Sequence, residues 1–188
     1  NSGGNAIKLK VGNSSIGFDL TLPGIKKPVG ASKELKAVFF TDSKKAEAEI
    51  AEEVMRYEMA GEYEISPFSV RGLAVKSQGD VYGTSQSNVF LVDSGDFGFI
   101  GIVGYATPEL SGEAMELLAN ARVLVLPVGN GGLSLDPEDA LKIAKDLNAE
   151  FVIPVHFDDG NTAYETPQSA VEVFIGLTGS EPQFFEGK

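Results

Sequence analysis

The chain has 188 residues, 43% of them apolar and 22% charged, with 22 Gly and 9 Pro. These are the values of one ordinary folded domain, long enough to bury roughly two-thirds of its unfolded surface, and they argue against a disordered, collagen-like or membrane-spanning chain. There is no Cys and only one His, His156. That excludes disulfides, thiolate zinc sites and Cys nucleophiles, and leaves one candidate for His-based acid or base chemistry. Any metal would have to be held mostly by carboxylates.

The net charge of −12 is uneven, because residues 1–45 carry +5 and residues 46–188 carry −17. So acidic a chain is a poor partner for nucleic acid, which is bound by neutralising phosphates. The Lys-rich opening reads as a solvated edge strand with Lys gatekeepers rather than an anion patch. The longest apolar run is far short of the ~20 residues that cross a bilayer. No signal-peptide pattern opens the chain, so the expected location is cytoplasmic, with no membrane partner.

In chain order, Ile7, Leu9 and Val11 alternate with polar or small residues, as do Ile16, Phe18, Leu20 and Leu22, and Gly12-Asn13-Ser14 between them signals a hairpin. Leu35–Phe40 is a short apolar run that predicts a buried strand. Ala46, Ile50, Val54 and Tyr57 recur at helical spacing and predict a helix, capped within Thr41-Asp42-Ser43 and stopped at Gly61. Phe68–Ala74 alternates again. Asn88–Asp93 and Phe97–Gly104 flank the compact turn Ser94-Gly95-Asp96.

The second half changes rhythm to alternating helices and strands. Thr107-Pro108 or Ser111 caps a helix carrying Ala114, Leu117, Leu118 and Ala121. Arg122–Val128 and Phe151–Val155 predict buried strands. Asp136-Pro137 and Thr166-Pro167 each read as an N-cap with Pro in the first turn. Gly179 is the stop of the last helix, and Gln183–Glu186 suggests a short closing strand. The whole predicts one α/β domain over residues 1–188, two packed mixed sheets with helices outside, in four layers.

Four stretches, in this order, carry a resemblance. They are Ala37-Val38-Phe39-Phe40-Thr41, Ala60-Gly61-Glu62-Tyr63-Glu64-Ile65, Val123 to Gly129 followed by Leu135 to Ala140, and Phe151-Val152-Ile153-Pro154-Val155-His156-Phe157. Together they resemble metallo-β-lactamase-fold proteins, and among them the small bacterial branch of ascorbate-6-phosphate lactonase-like proteins. The resemblance implies an αββα sandwich with metal ligands on loops at one edge of the sheets.

It also implies a ligand set that this chain does not carry. The family motif T-H-x-H-x-D-H falls on Thr41 to Glu47. Asp42 stands at the first His, Lys44 at the second, Ala46 at the Asp and Glu47 at the last His. The middle His falls near Lys76-Ser77, and the bridging Asp aligns with Gly104-Tyr105. Only the final His is present, as His156. A protonated Lys has no lone pair to offer a metal, and a catalytic zinc needs about three protein ligands.

The leading expectation is therefore a pseudo-enzyme without a metal or other cofactor. It would bind a small molecule or a protein at the old active-site edge, formed by Asp42, Lys44, Glu47, Tyr105, His156 and Asp158. If that edge is an anion pocket, Lys44→Ala should abolish binding of small phosphates or carboxylates. The rival is a hydrolase of the same fold with an oxygen-rich site rewired around Asp42, Glu47, His156 and Asp158. A third expectation is an assembly protein forming homo-oligomers. Three further features have blander readings. Asp158-Asp159-Gly160-Asn161 is more simply an acidic turn than a cation site. Gly129-Asn130-Gly131-Gly132 lacks the Lys-Ser/Thr of a phosphate loop. Glu62 and Glu64 are more simply surface residues than a catalytic pair.

Overall fold

The computed structural model describes residues 6–20, 33–42, 50–78, 80, 86–164 and 166–183. Alternation and turn chemistry produce the first hairpin where the sequence places it. β1 (Ile7–Val11) pairs antiparallel with β2 (Ser14–Phe18). β3 (Leu35–Phe39) and β4 (Met55–Tyr57) extend this sheet in parallel, in the order β1-β2-β3-β4. The second sheet holds β5 (Glu62–Ile65), β6 (Phe68–Lys76), β7 (Gln86–Asp93), β8 (Phe99–Val103), β9 (Val123–Pro127) and β10 (Phe151–Val155). Its order is β10-β9-β8-β7-β6-β5, antiparallel from β5 to β8 and parallel from β8 to β10. Both sheets are thus mixed.

Between them lies an aromatic-rich core. Phe18, Phe39 and Phe90 meet at ring-centroid distances of 5.1–5.6 Å, surrounded by Ile16, Val92, Ile102 and Val125. The other face of the larger sheet buries Leu91, Leu124 and Leu126 against the helices α1 (Gly112–Leu118) and α2 (Pro137–Asp146), and α2 packs on α3 (Val171–Thr178). The outer face of the smaller sheet buries Val38 and Phe40 beneath Ile50, Ala51 and Val54. The result is an α/β sandwich of two mixed sheets, with the helices among the described residues lying outside the larger one.

Two caps form as the sequence dictates. Ser111 Oγ accepts from the Ala114 amide, and the Asp136 carboxylate accepts from the Asp139 amide with Pro137 opening α2. Gly179 ends α3 in the left-handed region, at φ 65°.

Three expectations are corrected. Residues 50–59 are not helical. Residues 52–54 form a turn, and Met55–Tyr57 runs as β4 beside β3. The apolar spacing that imitates a helical stripe serves two surfaces instead. Val54 covers the outer face of the sheet, while Tyr57 stacks inside on Phe39 at 5.0 Å and Tyr63 at 4.4 Å. Tertiary pairing overrides local pattern here. The predicted part of that helix over 44–49 lies outside the described residues. The strand predicted through Leu22 ends at Phe18, because Asp19 turns to φ 44°, and Leu22 itself lies outside the described residues. The Thr166-Pro167 cap does not form either. Ala170 is the N-cap of α3, and the Thr166 hydroxyl donates to the Gly131 carbonyl at 2.9 Å. Within α3 only Phe174 is buried. Most of the predicted closing strand, Gln183–Glu186, lies outside the described residues.

Candidate functional site

One end of the sandwich collects most of the buried polar groups among the described residues. β2, β3, β6, β8, β9 and β10 all end there and β7 begins there, so topology alone gathers Asp19, Thr41, Asp42, Ser77, Ser87, Asn88, Tyr105 and His156. Asp19 and His156 (φ 52°) both hold positive-φ backbone, which non-glycine residues adopt only where surrounding structure imposes it.

Thr41 is the hub. Its amide donates to Asp19 Oδ1 at 2.9 Å, and its hydroxyl donates to Asp19 Oδ2 at 2.6 Å. Its carbonyl accepts from the Ser87 hydroxyl at 2.8 Å and from the Asn88 amide at 2.6 Å. The Asn88 side chain donates in turn to the carbonyls of Phe40 and Glu58. A carboxylate buried with two donors is a satisfied anion, and removing it strands both donors.

The Thr41 side chain also fills the space beside β8. A Cβ placed on Gly104 would stand 1.9 Å from Thr41 Oγ1 and 2.1 Å from its Cβ. The two sheets pinch together at this point, and only glycine fits. Next to it, Ser77 donates to Asp42 Oδ2 at 3.3 Å. These two residues stand where the resemblance places two histidine ligands, and here they form a hydrogen-bonded pair.

His156 completes the cluster. Its ring lies edge-on to Tyr105 at 5.5 Å and stacks on Tyr164 at 5.0 Å. The Tyr164 hydroxyl donates to the Phe157 carbonyl at 3.0 Å, which fixes the stacked ring. Burial pushes the Tyr105 phenol far above the ordinary tyrosine range, and the carboxylates of Asp19 and Asp42, with Tyr164, push it the same way. Tyr105 is therefore a neutral phenol at any physiological pH.

The six residues proposed from sequence are placed unequally. Asp42, Tyr105 and His156 share this cluster. Asp158 is exposed, with its carboxylate accepting from the Gly160 amide at 2.9 Å. Lys44 and Glu47 lie outside the described residues. The neighbouring Asp159 organises the acidic turn by accepting from Asn161 and Thr162, and the Asn161 and Thr162 amides, followed by the Thr162 hydroxyl, hold it below the usual carboxylate range.

The glycine-rich loop spends its own polar groups. Asn130 donates its amide to Leu135, and its side chain accepts from the Gly132 amide. Sequence reasoning missed Asp19 and Tyr164. Asp19 sits inside an alternating run that reads as strand through Leu22. Tyr164 follows a turn with no motif of its own.

The chain matches the β-lactamase superfamily domain over residues 4–156 and belongs to that family. Solved structures with the same fold include a putative zinc-dependent hydrolase of the metallo-β-lactamase superfamily from Thermotoga maritima. It is 18% identical with a TM-score of 0.69, and the match covers 96% of this chain and 84% of that one. A possible metal-dependent hydrolase from Veillonella parvula is 12% identical with a TM-score of 0.67, covering 94% and 90%. An isothiocyanate hydrolase from Delia radicum gut bacteria is 10% identical with a TM-score of 0.67, covering 94% and 89%. No curated protein matches the chain. No helix among the described residues is long and apolar enough to cross a membrane.

The described residues do not offer a ligand set for the metal pair that such a fold implies. Among the described residues no group of three or more His, Asp or Glu is placed to hold a metal ion, where a catalytic zinc takes about three protein ligands. Thr41 closes the space at Gly104, and two aromatic rings flank His156.

Proposed function

We propose that this chain is a metallo-β-lactamase-fold domain that has exchanged metal hydrolysis for binding. The observation that carries this reading is the Ser77–Asp42 hydrogen bond of 3.3 Å, which joins two positions where the resemblance places histidine ligands. Of the two positions where it places the bridging acid, 104 has its side-chain space filled by Thr41, and 105 holds a tyrosine. Positive-φ backbone at Asp19 and His156 positions a network of carboxylates, hydroxyls and tyrosine rings.

The rewired hydrolase would need Asp158, and that carboxylate turns back on its own loop. The test is hydrolysis of lactone, thioester and phosphodiester substrates by the purified chain with Zn²⁺, Mn²⁺ or Mg²⁺ added. The expected result is no turnover above buffer with metal. Metal-dependent turnover lost in Asp42→Ala would overturn the reading.

A further inference from the structure

The opposite end of the sandwich is built differently. The larger sheet has six strands and the smaller has four, so β1 does not cover the inner face of β10. The gap is a cleft of about 320 Å³, walled by Leu9 and Val11 of β1, Ile100 of β8, Val125 of β9, and Phe151 and Ile153 of β10. Phe151 is 42% exposed and Ile153 44%, although both are inward-facing positions, and Phe97 at the rim is 66% exposed. Three of the chain's exposed large apolar side chains therefore share one concavity, where scattered single residues would need no explanation.

The charge of this cleft runs against that of the molecule. In a chain of net charge −12, the charged residues that line it, among the described residues, are two cations, Lys10 and Arg122. The Arg122 guanidinium lies over the Phe151 ring, 5.5 Å from its centre, at the mouth of the cleft. Both cations are half-exposed and hold Glu34 and Glu150 on the outside. Glu150 takes the Nε and one Nη2 donor of Arg122, at 2.7 and 3.0 Å, which leaves three of the five guanidinium N–H donors outside that pair.

An added strand would not use this site. The Phe151 amide and the Val155 carbonyl bond toward β9, so Val152 and Pro154 face the free edge, and Pro154 has no N–H to offer there.

We propose that the cleft binds an amphiphilic carboxylate, a medium-length alkyl chain lying on Phe151 and Ile153 with its carboxylate against Arg122. Its volume suits roughly ten water-sized groups, and an apolar lining with a few convergent polar groups is the usual form of a small-molecule site. This reading is independent of the polar cluster at the other end.

Calorimetric titration of the intact chain with butanoate, octanoate and octanol, below micelle formation, tests it. Octanoate is expected to bind one per chain, at least tenfold tighter than butanoate and at least fivefold tighter than octanol. Arg122→Gln should erase the preference for octanoate over octanol. Ile153→Asp, and independently Phe151→Ser, should weaken octanoate at least tenfold with Tm unchanged. Three results would overturn the proposal: no saturable octanoate binding, equal binding of octanol, or a dimer in light scattering that Ile153→Asp converts to monomer.

Discussion

The same strands run from one end of this sandwich to the other, and the two ends have opposite character. At the site end Asp19, Thr41, Asp42, Ser77 and His156 are buried and interlocked. At the far end Phe97, Phe151 and Ile153 are exposed around an open cleft. The difference teaches where each kind of residue is constrained. A buried polar group must find partners, and its loss is costly. An exposed apolar group costs the fold little to keep or lose, so its grouping calls for a ligand rather than a stability argument.

The largest break in this contrast should come from Gly104→Asp, which restores the acidic residue type that the family carries nearby. With Thr41 already in that space, the variant should lose about 3 kcal/mol or more by overpacking, read as a fall in the denaturant midpoint at unchanged m-value. Asp19→Ala follows, at about 2 kcal/mol, because the Thr41 amide and hydroxyl lose their acceptor in a buried setting. Asp19→Asn, which keeps one acceptor oxygen, should cost less in the same measurement.

Tyr105 gives a pH signature. Its folded-state pKa lies above the unfolded value of about 10, so the folded chain binds the extra proton. The associated stability is fully present below about pH 10 and is lost as pH rises beyond it. Thermal melts from pH 8 to 11 should show that decline, and Tyr105→Phe should flatten it. The smallest effect belongs to Phe97→Ser at the open end, within about 0.5 kcal/mol of the parent.

Much of the fold is legible in the sequence because its signals are local. The first hairpin, the strands of the larger sheet and the caps at Ser111 and Asp136 follow from alternation, turn residues and N-cap chemistry. Residues 54–57 resist that reading, since Val54 and Tyr57 fit one helical stripe and equally fit the two faces of the smaller sheet. Part of the site is legible through the resemblance, which singles out Asp42, Tyr105 and His156. Asp19 is hidden for a physical reason. Its role depends on Thr41, 22 residues away, and on a turn to positive φ that no neighbouring glycine announces. The cleft is invisible in sequence, because it arises from the unequal widths of two sheets.

Under the proposed function, Asp42, Ser77 and Tyr105 stand where the family holds metal, and the chain retains none. Elemental analysis of the purified chain, after equilibration with Zn²⁺, Mn²⁺ and Mg²⁺ in turn and dialysis against metal-free buffer, tests it most directly. The expected result is far less than one metal per chain, with a Tm indifferent to chelator. One or two equivalents of retained metal, with a Tm that falls on chelation, would contradict it.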